Sequence, residues 1–176
     1  MIRQYKYTEK EQKKLLASMG ILVDTREQKN DQILEYFDRM GIKYKKKALS
    51  CGDYSFFIPK DEELSIARDL YFDKEIMIER KGSLTELSGN FTKGRAELEK
   101  EFAMAPSNKT MIVENASYGD LISGKYGTTY STKSFWATYH TFWHRYGIPI
   151  VFLPSQKESG YFIRGYFTYY LRDLLH

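Results

Sequence analysis

Apolar and polar residues alternate along this chain in two patterns, and each pattern predicts a different element. Short apolar runs bounded by turn residues are typical of buried strands, and apolar residues spaced three or four apart are typical of helices that pack by one face. The two patterns succeed one another from residue 9 to residue 175. We therefore predict an α/β fold, with a mixed sheet flanked by helices on both faces.

The turn and capping residues place the boundaries of these elements. Thr8 with Glu11, and Ser83 with Glu86, have the spacing of capping boxes that begin helices. The helical region after Ser83 is expected to break near Gly89 or Gly94. The predicted strands are 21–23, 42–49, a hairpin of 53–58 with 70–80, 110–114 and 148–153. The predicted helices are 8–19, 31–40, 83–104, 118–122, 134–146 and 156–175.

The length and composition fit a single soluble domain. The chain has 176 residues and a net charge of +4, and we expect one domain with an N-terminal helix (1–20), a core (21–153) and a C-terminal helix (154–176). The one cysteine, Cys51, excludes an intrachain disulfide and favours a reducing compartment. No apolar run reaches the length of a membrane span. We expect a cytoplasmic protein, or a nuclear one if it is eukaryotic.

Three acidic residues follow apolar runs or a tight turn. Asp24 ends the run 21–23, Asp53 follows Gly52, and Glu79 ends the run 76–78. A carboxylate at the end of a buried strand is costly unless it is paired or bound to a metal. Carboxylate oxygens are the ligands that Mg²⁺ prefers, and such a metal can activate water and neutralise charge on a phosphodiester. Together the three acids predict a metal-dependent phosphodiester hydrolase.

Strand alternation adds a lysine to this group. Side chains two apart on a strand share a face, so Glu79 and Lys81 lie on one side, roughly 7 Å apart along the strand. Arg80 points to the opposite side. Taken alone, Glu79 with Lys81 also fits a surface charge pair, and Gly52-Asp53 also fits an ordinary turn.

The order of these motifs resembles the nuclease domain of the XPF-type structure-specific endonuclease family. The resemblance rests on Val-Asp-Thr-Arg-Glu at 23–27, Gly-Asp-Tyr at 52–54, Ile-Glu-Arg-Lys at 78–81 and Lys-Gly-Arg at 93–95. It spans Ile21 to Leu153. It implies a restriction-endonuclease-like fold and Mg²⁺- or Mn²⁺-dependent cleavage of DNA at branches, flaps or junctions, as in DNA repair and recombination.

The resemblance also assigns roles to residues. It implies that Asp53 and Glu79 bind the metal, that Asp24 completes the acidic cluster, and that Lys81 acts on the attacking water or the transition state. The residues expected to support this site are Arg26, Glu27, Arg80, Glu86 and Arg95. The residues expected to contact nucleic acid are Lys45, Lys47, Lys93 and Arg95; the alternative for such basic stretches is a solvated surface.

Two departures from the family pattern affect these expectations. The family commonly has an acid four residues after the motif lysine, where this chain has Thr85. Glu86 is either the replacement or only the capping partner of Ser83. Residues 156–176 also show no helix-hairpin-helix pattern, so we expect a minimal bacterial or phage form without the tandem module of many members. DNA recognition would then fall to the nuclease surface, a dimer or a partner.

The C-terminal helix raises the question of a dimer. In the family, the late elements of the nuclease domain tend to form a dimer interface. The aromatic residues of this helix fit either such a homodimer interface or packing against the sheet. They are Tyr161, Phe162, Tyr166, Tyr169 and Tyr170.

The sequence leaves three functions to compare. The first is an active structure-specific DNA endonuclease. The second is a catalytically weak or inactive nuclease-like module that binds DNA or a partner, which the Thr85 departure favours. The third is an unrelated α/β enzyme whose acidic residues lie far apart. The separation of Asp24, Asp53 and Glu79 distinguishes the third function from the other two.

Overall fold

The structure is a computed structural model that describes Ile2 and residues 6–176. Over these residues the chain forms seven strands and seven α-helices, and a short 3₁₀ helix, Gln156–Glu158, precedes the last of them. The strands are β1 (Gly20–Asp24), β2 (Tyr44–Lys47), β3 (Tyr54–Ile58), β4 (Leu70–Tyr71), β5 (Ile76–Lys81), β6 (Asn108–Glu114) and β7 (Ile150–Leu153). The helices are α1 (Glu9–Ser18), α2 (Asp31–Arg39), α3 (Leu84–Thr92), α4 (Arg95–Met104), α5 (Tyr118–Ser123), α6 (Thr132–Tyr146) and α7 (Ser159–Leu174).

The strands form one mixed sheet in the order β2-β1-β3-β5-β6-β7, with β4 beside β3. Strand β2 runs parallel to β1, and β5, β6 and β7 run parallel to one another. Strand β3 is antiparallel to β1, β4 and β5 and joins the two parallel parts. This arrangement confirms the predicted mixed α/β sheet.

Helices cover both faces of the sheet, and each face has its own hydrophobic core. Alternate residues of β5 and β6 divide between the two cores, as the pleat of a strand requires. The first core contains Ile76, Ile78, Ile112 and buried residues of α1, α2 and α7. The second core contains Met77, Met111, Val113 and buried residues of α3, α4, α5 and α6.

The capping residues begin the helices where the sequence predicted. Thr8 and Glu11 form a complete capping box before α1, and the hydroxyl of Ser83 accepts a hydrogen bond from the Glu86 N–H before α3. The predicted break falls at Lys93 and Gly94, between α3 and α4. Of the expected N-terminal helix, Met1 and residues 3–5 lie outside the described residues. Within the part described, none of the helices is long and apolar enough to cross a membrane.

Two predicted strands are shorter than expected. The strand predicted over 70–80 is divided into β4 and β5 by a turn, in which Glu75 and Ile76 donate backbone hydrogen bonds to the Phe72 carbonyl. The polar residues Asp73 to Glu75 interrupt the apolar pattern there, and Asp73 accepts a hydrogen bond from Lys47 of β2. The strand predicted over 42–49 is paired only over Tyr44–Lys47.

Helix α7 lies against α2 through a glycine. A Cβ atom at Gly160 would lie 2.5 Å from Cδ1 and 3.0 Å from Cβ of Tyr36. These atoms are close to the Tyr36 backbone and cannot swing away, so the two helices are held at a distance that only glycine permits. Gly165, one and a half turns later, has open space where its Cβ would be.

We predict opposite effects of alanine at these two glycines. Gly160→Ala overpacks the α2–α7 contact and should lower the free energy of unfolding by about 1–3 kcal/mol. Gly165→Ala should raise it by roughly 0.5–1 kcal/mol, because alanine loses less backbone entropy in a helix. Urea unfolding of both variants measures the difference, and equal effects would contradict the close approach.

Candidate active site

The ends of β1 and β5 meet at the turn that precedes β3. The Asp24 N–H donates to the Asp53 carbonyl at 2.8 Å, and the Asp53 N–H donates to the Ile78 carbonyl at 2.9 Å. Asp53 is thereby fixed between the two strands. Gly52 before it has a φ of +72°, and a Cβ there would lie 2.4 Å from Sδ of Met77. The turn therefore needs glycine at this position.

Glu79 is a buried carboxylate whose charge acts on the partly buried carboxylate of Asp53. One oxygen of Asp53, Oδ2, accepts the Arg80 backbone N–H at 2.7 Å. Glu79 is 4% exposed. Burial and then the charge of Glu79 raise the pKa of Asp53 well above its ordinary value. Burial also raises the pKa of Glu79. The two acids are therefore stabilised by positive charge placed beside them.

Lys81 supplies part of that charge. Its Nζ donates to Oε1 of Glu79 at 2.7 Å, as the alternation of β5 predicted. Burial lowers the pKa of Lys81, but the charges of Glu79 and Asp53 outweigh burial and raise it overall. Lys81 is therefore held as a cation between two acids.

Asp24 is paired differently from the expectation. Its carboxylate accepts hydrogen bonds from the Arg26 side chain at 2.8 and 3.1 Å, the Arg26 N–H at 2.7 Å and the Leu49 N–H at 2.7 Å. Burial raises the pKa of Asp24, but these bonds lower it overall. Among the described residues, no three Asp, Glu, His or Cys side chains are grouped so that they could hold one metal ion. The predicted cluster of three acids is therefore not found among the described residues, and Asp24 is turned to Arg26.

Arg80 points to the other face of the sheet, as alternation predicted. Its guanidinium donates to both oxygens of Glu114 at 2.8 and 2.6 Å and lies 3.4 Å from Glu27. Ser159, at the start of α7, also donates to Glu114 at 2.5 Å. The sequence analysis did not select Glu114, although it ends the apolar run Met111–Val113 just as Glu79 ends its own. That position at a strand end was the available signal.

Thr85 and Glu86 have separate contacts. The Thr85 hydroxyl accepts the Gly127 N–H at 3.0 Å and so holds the loop before α6. Glu86 accepts the Gly82 N–H at 3.0 Å through Oε2, and its Oε1 lies 4.0 Å from Nζ of Lys81. Glu86 therefore has both features left open by the sequence: it belongs to the cap of α3 and lies beside the pocket.

Three of the four residues expected to contact nucleic acid are paired within the chain. Lys45 binds Asp69 and Lys47 binds Asp73, each at 2.5 Å. Arg95 binds Glu99 at 2.9 Å. Lys93 is exposed at the break between α3 and α4. The lysine-rich strand β2 thus helps to hold the segment between β3 and β5.

The aromatic residues of α7 divide between core and surface. Phe167 is fully buried, whereas Tyr161 is 73% and Tyr169 is 68% exposed. Tyr161, Phe162, Tyr166 and Tyr169 line one side of a groove whose other side includes Ile76 and Leu153. Packing against the sheet therefore accounts for buried rings such as Phe167. It does not account for the exposed rings of Tyr161 and Tyr169.

Comparison with known proteins identifies the fold. The chain is similar to XPF from Aeropyrum pernix, at 19% sequence identity and a TM-score of 0.60, over 85% of this chain and 60% of that one. XPF from Aeropyrum pernix in complex with DNA gives 19% identity and a TM-score of 0.62, over 87% of this chain and 65% of that one. The chain thus spans less than two thirds of either structure's chain. No curated protein sequence matches it.

The structural matches confirm the restriction-endonuclease-like fold predicted from the motifs. A family model described as the ERCC4 domain matches residues 23–166, which include the ends of β1 and β5 and the turn between them. Because this match covers most of the sequence, the chain belongs to the ERCC4 domain family, the family of XPF-type nuclease domains.

Proposed function

We propose that this chain is an endonuclease that hydrolyses DNA phosphodiester bonds with a divalent cation, Mg²⁺ or Mn²⁺, held by Asp53 and Glu79. The observation that carries the proposal is the buried carboxylate of Glu79, which accepts a hydrogen bond from Lys81 and whose charge acts on Asp53. Glu79 is buried, Asp53 is partly buried, and burial followed by the charge of Glu79 raises the pKa of Asp53, which is an arrangement that a cation stabilises. Membership of the ERCC4 domain family supports a nuclease rather than another hydrolase.

The donor atoms suit a hard cation. Among the described residues, no group donates a hydrogen bond to Oδ1 of Asp53 or to Oε2 of Glu79, so each acid has one oxygen available. Mg²⁺ and Mn²⁺ prefer oxygen ligands, and Mg²⁺ is usually bound by one or two carboxylates together with waters and substrate phosphate. Two carboxylates therefore suffice, and Asp24 supports the site by holding Arg26 rather than by binding the cation.

A bound divalent cation would supply charge against the scissile phosphate and activate water for attack. Lys81 would contribute a second positive charge. Because its pKa is raised, Lys81 stays protonated and cannot accept a proton from water; it stabilises the negative charge that develops on the phosphate oxygens. Glu79 orients the ammonium group through their 2.7 Å hydrogen bond.

The alternative is a nuclease-like module that binds DNA or a partner without cutting. Two observations favour it: the carboxylate of Asp24 is fully engaged by Arg26 and Leu49, and Thr85 replaces the acid that the family commonly has. The intact Asp53, Glu79 and Lys81 favour the enzyme, since buried acids are costly to keep without a role.

We also propose that the substrate is branched or flapped DNA and that the chain forms a homodimer. The DNA-bound XPF structure supports a DNA substrate. The exposed tyrosines of α7 and the groove they line support self-association, because aromatic residues are enriched in the cores of protein interfaces.

We predict that cleavage depends on both the cation and the two acids. Labelled duplex, flap, fork and four-way-junction DNAs are incubated with Mg²⁺, Mn²⁺ or EDTA. Cutting of branched DNA should require a cation, and Asp53→Asn or Glu79→Gln should slow it by roughly 100-fold or more. Glu35→Gln, an exposed acid on α2, is the control and should cut normally. If the wild-type chain cuts none of the DNAs with either cation, the binding module becomes the function.

The same pocket predicts a gain in stability when one acid is neutralised. Because the folded-state pKa of Asp53 is raised, the folded protein loses stability as pH rises from the ordinary aspartate pKa through the raised one. At pH 8, Asp53→Asn removes this cost and can still accept the Arg80 N–H. Its Tm should therefore exceed that of wild type by several degrees, since about 1 kcal/mol corresponds to roughly 2–4 °C at this length.

Two further melts complete this test. At pH 4 the Tm advantage of Asp53→Asn should shrink, because wild-type Asp53 is then protonated. Adding Mn²⁺ at pH 8 should raise the Tm of wild type and leave Asp53→Asn unchanged. A lower Tm for Asp53→Asn at pH 8 would contradict the proposed charge repulsion.

The homodimer is tested at the exposed tyrosine. Tyr169→Glu places a charge in the groove and should convert a dimer to a monomer in sedimentation equilibrium at micromolar concentration. Lys10→Glu, on the exposed side of α1, is the control. A wild-type chain that sediments as a monomer would exclude the dimer.

A further inference from the structure

Helix α4 reaches into the turn that carries Asp53. The Gly52 N–H donates to Oε1 of Glu101 at 3.1 Å, and the Cys51 thiol donates to the Glu101 carbonyl at 3.4 Å. One residue of α4 thus binds two consecutive residues of the turn, through its side chain and through its backbone. Both contacts join residues about 50 positions apart in the sequence.

This turn has little regular structure of its own. Residues 50–53 belong to neither a helix nor a strand, and Gly52 is in the left-handed region at a φ of +72°. Its peptide orientation determines where the next residue, Asp53, enters the sheet. A side-chain oxygen that accepts the Gly52 N–H fixes this peptide, because a buried N–H left without an acceptor is costly.

Glu101 also lies within electrostatic reach of the pocket. Burial is the main cause that raises the pKa of Glu79, and the charge of Glu101 raises it further against the opposing effect of Lys81. Its charge also acts on Arg26, which pairs with Asp24. Glu101 is therefore beside the pocket and not merely on the surface of α4.

We propose that Glu101 is a positioning residue of the cation site, because its hydrogen bond to Gly52 holds the turn so that Asp53 faces Glu79. The expected effect of Glu101 on cation binding rests on the proposed function. The expected effect on Cys51 rests on the geometry of the turn alone. The sequence pattern gave no sign of it, since Glu97, Glu99 and Glu101 all read as acidic positions of one helix.

Two conservative variants separate the hydrogen bond from the charge. Glu101→Gln keeps an oxygen at the same reach and loses the charge. Glu101→Asp keeps the charge on a side chain one methylene shorter, which withdraws it from Gly52. Glu97→Gln, an exposed residue one turn earlier on α4, is the matched control.

The first readout needs no cation. Cys51 is the one cysteine of the chain and is 3% exposed, so its labelling rate with a thiol reagent reports how often the turn opens. Glu101→Asp should raise this rate about tenfold. Glu101→Gln and Glu97→Gln should stay within about twofold of wild type. Circular dichroism and Tm verify that all variants are folded.

The second readout is Mn²⁺ binding, measured by electron paramagnetic resonance of the free ion. Glu101→Asp should raise the Kd about tenfold, a typical loss when a residue that orients a metal ligand is changed. Glu101→Gln should retain most of the affinity. If Glu101 acted only through its charge, Glu101→Gln would instead lose affinity, because it lacks that charge.

Each result of these measurements supports or contradicts the positioning role of Glu101. If Glu101→Asp labels and binds Mn²⁺ like wild type, or if Glu101→Gln is as impaired as Glu101→Asp, the positioning role is wrong. If the wild-type chain binds no Mn²⁺, the cation site of the proposed function fails, and the labelling rates alone decide whether Glu101 anchors the turn.

Discussion

The charge of the buried Glu79 acting on the partly buried Asp53 is the constraint around which this structure is organised. Burial raises the pKa of both Asp53 and Glu79, the charge of Glu79 raises the pKa of Asp53 further, and Lys81 opposes both increases. An unfolded chain would keep them apart, so the fold must hold them together against their charge. It does so with backbone hydrogen bonds of Asp53 to β1 and β5 on either side and with the Lys81 ammonium group. Active sites commonly retain such unfavourable charge because the reaction uses it.

The opposite face of β5 also holds one cation and two acids, but there the cation donates hydrogen bonds to both acids. Arg80 lies between Glu114 and Glu27, and Ser159 completes the bonding of Glu114. A buried guanidinium with two acidic partners and satisfied hydrogen bonds forms a stable structural cluster. Strand β5 thus places a hydrogen-bonded ion cluster on one face of the sheet and the acidic candidate site on the other. The alternation of side chains along the strand is what separates the two.

The basic residues of β2 have partners within the chain that the sequence pattern did not indicate. Lys45 and Lys47 have the spacing of a phosphate-binding stretch, but Asp69 and Asp73 from the segment after β3 neutralise them. Lys45 also lies over the ring of Phe57, and Lys47 over that of Tyr71. These lysines are better explained by holding β4 and its flanking segment to the sheet. The strength of such exposed pairs is modest and decreases with salt.

The sequence by itself determined the features that depend on neighbours along the chain. Capping pairs set the starts of α1 and α3, and the period of two on β5 placed Glu79 beside Lys81 and sent Arg80 to the other face. Tertiary structure decided the contacts between distant segments: that Asp24 turns to Arg26 and Leu49, that Glu114 binds Arg80, and that Glu101 reaches Gly52. Local spacing fixes the direction of a side chain, but its partner depends on which segments the packed sheet and helices bring together.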